Sequence, residues 1–173
     1  LRERPRLAPD LERLGALPAG TLGRSFADFL HARGLDPRDI PTLPAHDEAS
    51  FVRAHLYETH DLWHVVTGFE TDVAGELGLQ AFYAAQLPGN LPVALLAMGL
   101  LNTLLYAPRD RSPRLSAIAR GYALGAAARP LFGVDWAAAW SRPLDDVRAE
   151  LGLTHDTAPN APGLVSSSAE TLP

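Results

Sequence analysis

Four residues whose types and spacing could do chemistry stand close together in 57-YETHDLWHVVTGFETDVAGE-76: His60, Asp61, His64 and Glu76. Two neutral imidazoles and two carboxylates make a mixed nitrogen and oxygen set suited to Zn²⁺ and tolerable for Fe²⁺ or Mn²⁺. The same groups could form an acid/base pair, or only the polar side of an exposed helix. In a helix each residue advances about 100°, so His60 and His64 lie about 40° apart and Asp61 joins them within an arc of roughly 100°. Glu76, twelve positions beyond His64, falls about 120° off that face in a straight helix. A break at Gly68 to Asp72 removes the difficulty, because a second helix can fold back and offer Glu76 from across the groove. The pattern differs from the metalloprotease H-E-x-x-H; Asp61 has a shorter reach and could be ligand or base.

The elements that must position these groups read as helices. Residues 1–17 form an irregular lead with Leu7, Leu11, Leu14 and Leu17 at helical spacing. Thr21 or Ser25 caps a helix ending at Gly34, with Phe26, Phe29 and Leu30 on its apolar face. A loop over 36–47 precedes a long helix from about Glu48 to Thr67, stopped by Gly68. Thr71 or Asp72 then caps a helix over 73–86. The run 93-VALLAMGLLNTLLY-106 reads as a helix apolar on nearly every side, to be buried, to line a lipid cavity or to dip into a bilayer interface. An Arg-rich turn over Pro108 to Pro113 supplies Arg109, Arg111 and Arg114 for anionic headgroups. A small-residue helix over 115–128 follows, where Gly121, Gly125 and Ala126 to Ala128 leave room for a chain. A last helix runs through 135–140 and 143–152. No alternating run is long enough for a sheet, so the expectation is an all-α single-domain bundle of six to seven helices over 1–153 with an apolar lipid-binding channel. Residues 154–173 have the composition of a disordered tail.

Composition bounds the chemistry. A chain of 173 residues with 47% hydrophobic content suits one core, and the absence of cysteine excludes disulfides, thiolate metal sites and cysteine nucleophiles. All fifteen basic residues are arginine, a bias typical of a GC-rich, bacterial coding sequence, and the net charge of −5 argues against a nucleic-acid binder. No Lys or Arg stands between Arg53 and Arg109, while Glu58, Asp61, Glu70, Asp72 and Glu76 all do. Such a segment could take a cation from solution or remain a solvated acidic face. The first residues, 1-LRERPRLAPD, lack the apolar region of a signal peptide, and the apolar run falls short of the roughly 20 residues that cross a bilayer. The expectation is a soluble or membrane-surface protein.

H-D-x-x-H, eleven residues, then E resembles the signature of the Coq Four family of ubiquinone (coenzyme Q) biosynthesis proteins. The flanking 17-LPAGTLGRSFADFLHARGLDP-37, 65-VVTGF-69, 75-GELGLQAFYAAQ-86 and 131-LFGVDWAAAWSRPLDDVRAELGL-153 are similar to it as well. The resemblance implies an all-helical fold, a divalent metal (usually taken as zinc) on His60, Asp61, His64 and Glu76, peripheral membrane association and binding of polyprenyl chains. It also implies removal of the ring carboxylate from a polyprenyl hydroxybenzoate precursor, with Asp61 or Glu76 managing a proton. Where the family often has a Gly-Leu-Pro turn, this chain reads 86-QLPGNLP-92, and 1-LRERPRLAPD does not read as the targeting region of mitochondrial members. A bacterial member, cytoplasmic and peripheral to the inner membrane, is therefore expected, with the mitochondrial matrix side the eukaryotic counterpart.

Three functions compete: a metal-dependent carboxy-lyase of quinone biosynthesis; a non-catalytic scaffold presenting a polyprenyl intermediate; and a phosphohydrolase using His-Asp pairs, of which His46-Asp47, His60-Asp61 and His155-Asp156 are examples. The long match beyond the signature disfavours the third. The expected partners are a polyprenyl aromatic lipid, a membrane surface, other quinone-biosynthesis proteins and a second copy in a homodimer. Phe82 and Tyr83 read as core, Trp63 as either core or a wall of the site. His31, His46, His55 and His155 read as loop or surface residues.

Overall fold

The computed structural model describes residues 7, 9–36 and 43–154, so the 154–173 tail and His155 lie, from residue 155 on, outside the described residues. Among those described, eight α-helices follow one another with no strand: α1 Leu11–Gly15, α2 Leu22–Ala32, α3 Glu48–Thr67, α4 Val73–Gln86, α5 Leu91–Tyr106, α6 Arg111–Ala127, α7 Trp136–Ala139 and α8 Leu144–Leu151. The chain is all-α, as expected.

Local chemistry explains the boundaries near the site. Asp47 and Ser50 form a reciprocal capping box at the start of α3, satisfying N–H groups that a helix leaves orphaned. Gly68 ends it in the left-handed conformation at φ 69°, its N–H on the carbonyl of His64. The Asp72 carboxylate then accepts from the N–H of Gly75, 2.7 Å away, and α4 begins. Arg148 of α8 reaches the free carbonyls of the last α3 turn, donating to Val65 and Val66 at 2.9 and 3.1 Å. Leu22, Phe26 and Leu30 of α2 recur every four residues and pack with Leu62, Trp63 and Val66 of α3 and Leu79 and Phe82 of α4 into one core. The two histidines therefore sit on a helix held at both ends.

Several local expectations are corrected. α6 begins at Arg111, because Pro113 falls in the first turn, where a missing N–H costs nothing. The last helix is two, α7 ending at Ala139 and α8 starting after its N-cap Pro143, a residue that disfavours a helical conformation in the one before it. His55 is buried, at 4% exposure, between the rings of Phe51 and Phe132.

The largest corrections concern lipid. α5 is not buried: Leu91, Val93, Met98, Leu101, Leu104, Leu105 and Tyr106 are exposed, Leu104 by 72%. The room expected beside Gly121 and Gly125 is filled by α4. A methyl at Gly121 would strike the carbonyl of Gly78, and one at Gly125 would press on Phe82 and Ala85. These glycines serve close helix packing rather than a cavity. Arg114 is not offered to headgroups. It is 7% exposed and donates to Asn102, Thr103 and Asp110, fastening α5 to α6. Arg109 and Arg111 remain exposed.

Candidate metal centre

His60 and His64 are one turn apart on α3, with ring centroids 4.8 Å apart and planes at 87°. His64 is 1% exposed. Its Nδ1 lies 2.9 Å from the carbonyl oxygen of Phe69. A carbonyl only accepts, so Nδ1 carries a proton, and in the neutral ring Nε2 is the nitrogen with the lone pair. Nδ1 of His60 lies 3.3 Å from the Tyr83 hydroxyl, which can accept in the same way. Both rings thus have Nδ1 engaged and Nε2 turned inward.

The two Nε2 atoms are 3.3 Å apart. The turn over 68–72 reverses the chain, and α4 presents Glu76 with Oε1 3.1 Å from Nε2 of His64 and Oε2 3.7 Å from Nε2 of His60. One ligand atom from each of the three residues lies within 4.8 Å of the others. Ligands about 2.0–2.2 Å from a tetrahedral ion are about 3.3–3.6 Å apart, close to these spacings. Two nitrogen lone pairs and a carboxylate facing one another also repel unless a cation or proton stands between them. The donor set fits a divalent metal.

The electrostatics agree. Burial, with the neighbouring His64, holds the imidazole of His60 below its ordinary range, against the opposing pull of Glu76 and Asp61. His60 is thereby kept neutral and able to ligate. Burial pushes the Glu76 carboxyl up, but without a metal a protonated His64 Nε2 donates to it, and this bond with the charges of protonated His64 and His60 outweighs burial and leaves the carboxyl below the usual carboxylate range. Tyr83 is pushed far up by burial and by the charges of Glu76 and Asp61, so its hydroxyl stays protonated.

Of the four residues singled out in the sequence, the structure brings His60, His64 and Glu76 together. Asp61 is outside that group of three, and its charge acts on His60 and Tyr83 from nearby. Trp63 is fully buried and belongs to the core behind the site, stacked on Tyr83 at 4.5 Å. Tyr83 packs as expected, yet its hydroxyl touches the site. Its spacing was the available signal, since seven residues from Glu76 is two turns of the same face. Phe29, stacked on His64 at 5.9 Å and 21°, and the Phe69 carbonyl left no such signal. The stretch without cations is also less bare in space than along the chain. Arg33 of the α2 end pairs with Glu70 at 2.6 Å, and Arg120 of α6 lies over the Phe69 ring.

Residues 1–157 match the family model described as coenzyme Q (ubiquinone) biosynthesis protein Coq4. The chain is similar to proteins named ubiquinone biosynthesis protein coq4, mitochondrial. It is 34% identical to that of Talaromyces stipitatus over 88% of this chain and 54% of the relative. Against that of Eremothecium gossypii it is 31% identical over 88% and 48%. The chain spans about half the length of the curated relatives it matches. A crystal structure of a Nostoc punctiforme protein, provisionally named for ubiquinone biosynthesis, superposes with a TM-score of 0.79 at 36% identity, covering 88% of this chain and 72% of that one. A family match over most of the chain, relatives of this similarity and a shared all-helical fold agree: this chain belongs to the Coq4 family of ubiquinone biosynthesis proteins.

Proposed function

We propose that the protein acts in ubiquinone biosynthesis as a metal-dependent carboxy-lyase, removing the carboxylate from a polyprenyl hydroxybenzoate ring. The observation that carries this reading is the convergence of Nε2 of His60, Nε2 of His64 and the Glu76 carboxylate, with both Nδ1 atoms already engaged. These three residues would hold zinc or another divalent ion, and Asp61 would complete the set or work beside it. A cation there supplies Lewis acidity, anchoring a carboxylate or phenolate oxygen and stabilising the charge left on the ring as carbon dioxide departs. The bond from ring carbon to carboxyl carbon breaks, its electron pair stays on the ring, and a proton forms the new C–H bond. Asp61, adjoining His60, is the residue proposed to deliver that proton, with Glu76 the other carboxylate in place, and water restores it.

The exposed face of α5 supports a membrane-surface position for the protein. Apolar surface on this scale, rimmed by Arg109 and Arg111, suits an interface with anionic headgroups. Among the described residues no helix is long and apolar enough to cross a membrane. Gly99 of α5 packs on Leu77, the residue after Glu76, and this nearness of α5 to the helix that carries Glu76 supports a polyprenyl tail running from the site toward α5. We place the protein on the bacterial inner membrane, or on its mitochondrial counterpart. The same apolar face favours a second reading, a lipid-presenting scaffold for other quinone-biosynthesis enzymes, as a monomer or homodimer. Carbon dioxide release from a polyprenyl hydroxybenzoate by purified, metal-loaded protein separates the two. Release that falls in Asp61→Ala supports the lyase; no release, or equal release by both proteins, leaves the scaffold.

A further inference from the structure

The orientation of His64 is set by contacts that converge on one guanidinium. Phe29 stacks on the His64 ring, and the Phe69 carbonyl takes its Nδ1 hydrogen. Arg33, the C-cap of α2, lies with its Cζ 3.7 Å over the centroid of Phe29. Its Nη2 donates to Glu70 at 2.6 Å, its Nε to the Thr71 hydroxyl at 3.1 Å and its Nη1 to the Phe29 carbonyl at 3.2 Å. Glu70 and Thr71 directly follow Phe69 in the turn. One planar fork therefore covers the ring that stacks on His64 and grips the turn whose carbonyl fixes its tautomer.

We propose that Arg33 is a positioning residue for the metal centre: acting through Phe29 and the Phe69 turn, it holds His64 with Nδ1–H toward Phe69 and Nε2 toward His60 and Glu76. The inference rests on the metal reading above. Global stability gives little reason for the arrangement, because Glu70 is 77% exposed and ion pairs this open to solvent contribute little. Stacking and a three-way fork are what arginine does and lysine cannot. The Phe69 ring also meets the Arg120 guanidinium, 3.9 Å from its centroid, and Gly78, so loss of Arg33 should loosen the turn without unfolding it.

The test compares wild type, Arg33→Ala, Arg33→Lys and Arg24→Ala, the last breaking an exposed pair with Asp28 on the same helix. Zn²⁺ affinity is measured against a chromophoric chelator, and the His64 tautomer of the metal-free protein by ¹⁵N-imidazole NMR. Arg33→Ala should weaken Zn²⁺ binding about 10- to 100-fold and blur the single Nδ1–H tautomer, with Arg33→Lys restoring little and Arg24→Ala changing neither. Arg33→Ala within about twofold of wild type, or a matching loss in Arg24→Ala, would overturn the proposal. If the wild type binds no Zn²⁺, the metal reading fails and the tautomer alone decides: an unchanged His64 spectrum in Arg33→Ala rejects the positioning role.

Discussion

Trp63 and Tyr83 stack at 4.5 Å with planes 16° apart, on the core side of the Tyr83 hydroxyl that meets His60. Packing thus fixes the phenol ring, which also stacks on the His60 ring at 6.2 Å, and sets its hydroxyl against Nδ1 of His60. Tyr83→Phe keeps the stack and deletes only that contact. Metal affinity should fall about tenfold, as for other loss of an outer-sphere partner, while stability changes by no more than about 1.5 kcal/mol. Chelator competition and thermal melts check the two halves of this prediction.

The pH dependence follows from two lowered groups. His60 and Glu76 both bind protons less readily in the fold than in the unfolded chain. Over the window below the ordinary histidine value of 6.5, the unfolded state therefore holds more protons. Their contribution to apo-protein stability is present above the unfolded values and is lost as pH falls through the folded ones. Ligation also needs the unprotonated forms, so metal should be retained at pH 6.5 and released only on further acidification. Release followed with a zinc-responsive dye tests this; half-release above pH 6.5 would contradict the lowered His60.

Leu104, exposed by 72%, tests the membrane face. Leu104→Asp should change folding stability by no more than about 0.5 kcal/mol, because nothing buried is disturbed. It should abolish sedimentation with anionic vesicles. If vesicle binding persists while gel filtration shows a dimer lost, a second copy and not lipid covers α5.

Gly121→Ala probes the packing that replaced the expected channel. The added methyl meets the Gly78 carbonyl, a backbone atom with no freedom to swing aside. Overpacking of this kind costs about 1–3 kcal/mol, and a thermal melt should show it. An unchanged melting temperature would mean that α4 and α6 have room between them after all.

The sequence disclosed most where a local rule had no rival. Gly68 and Asp72 mark the turn that swings Glu76 back, and both stand at those helix ends. The His60 and His64 spacing placed both rings on one face. It was silent where the answer lay in tertiary contact. A helix apolar on all sides looks the same whether buried or left on the surface, so α5 could not be assigned. Gly121 and Gly125 signalled small volume but not that α4 would take it. His55 lies five residues before His60, with nothing to mark it as buried until Phe51 and Phe132 close around it. The contacts that orient His64 come from a backbone carbonyl and a phenylalanine, which no ligand pattern includes.

Metal content tests the central claim most directly. Wild-type protein and Glu76→Gln, which keeps the shape and removes the charge, are purified alike, reconstituted with Zn²⁺, dialysed and measured by inductively coupled plasma mass spectrometry. The account predicts one tightly held zinc per wild-type chain, and loss of that zinc from a Glu76→Gln protein that still melts cooperatively. Wild-type protein without metal after reconstitution, or equal zinc in both, would contradict it.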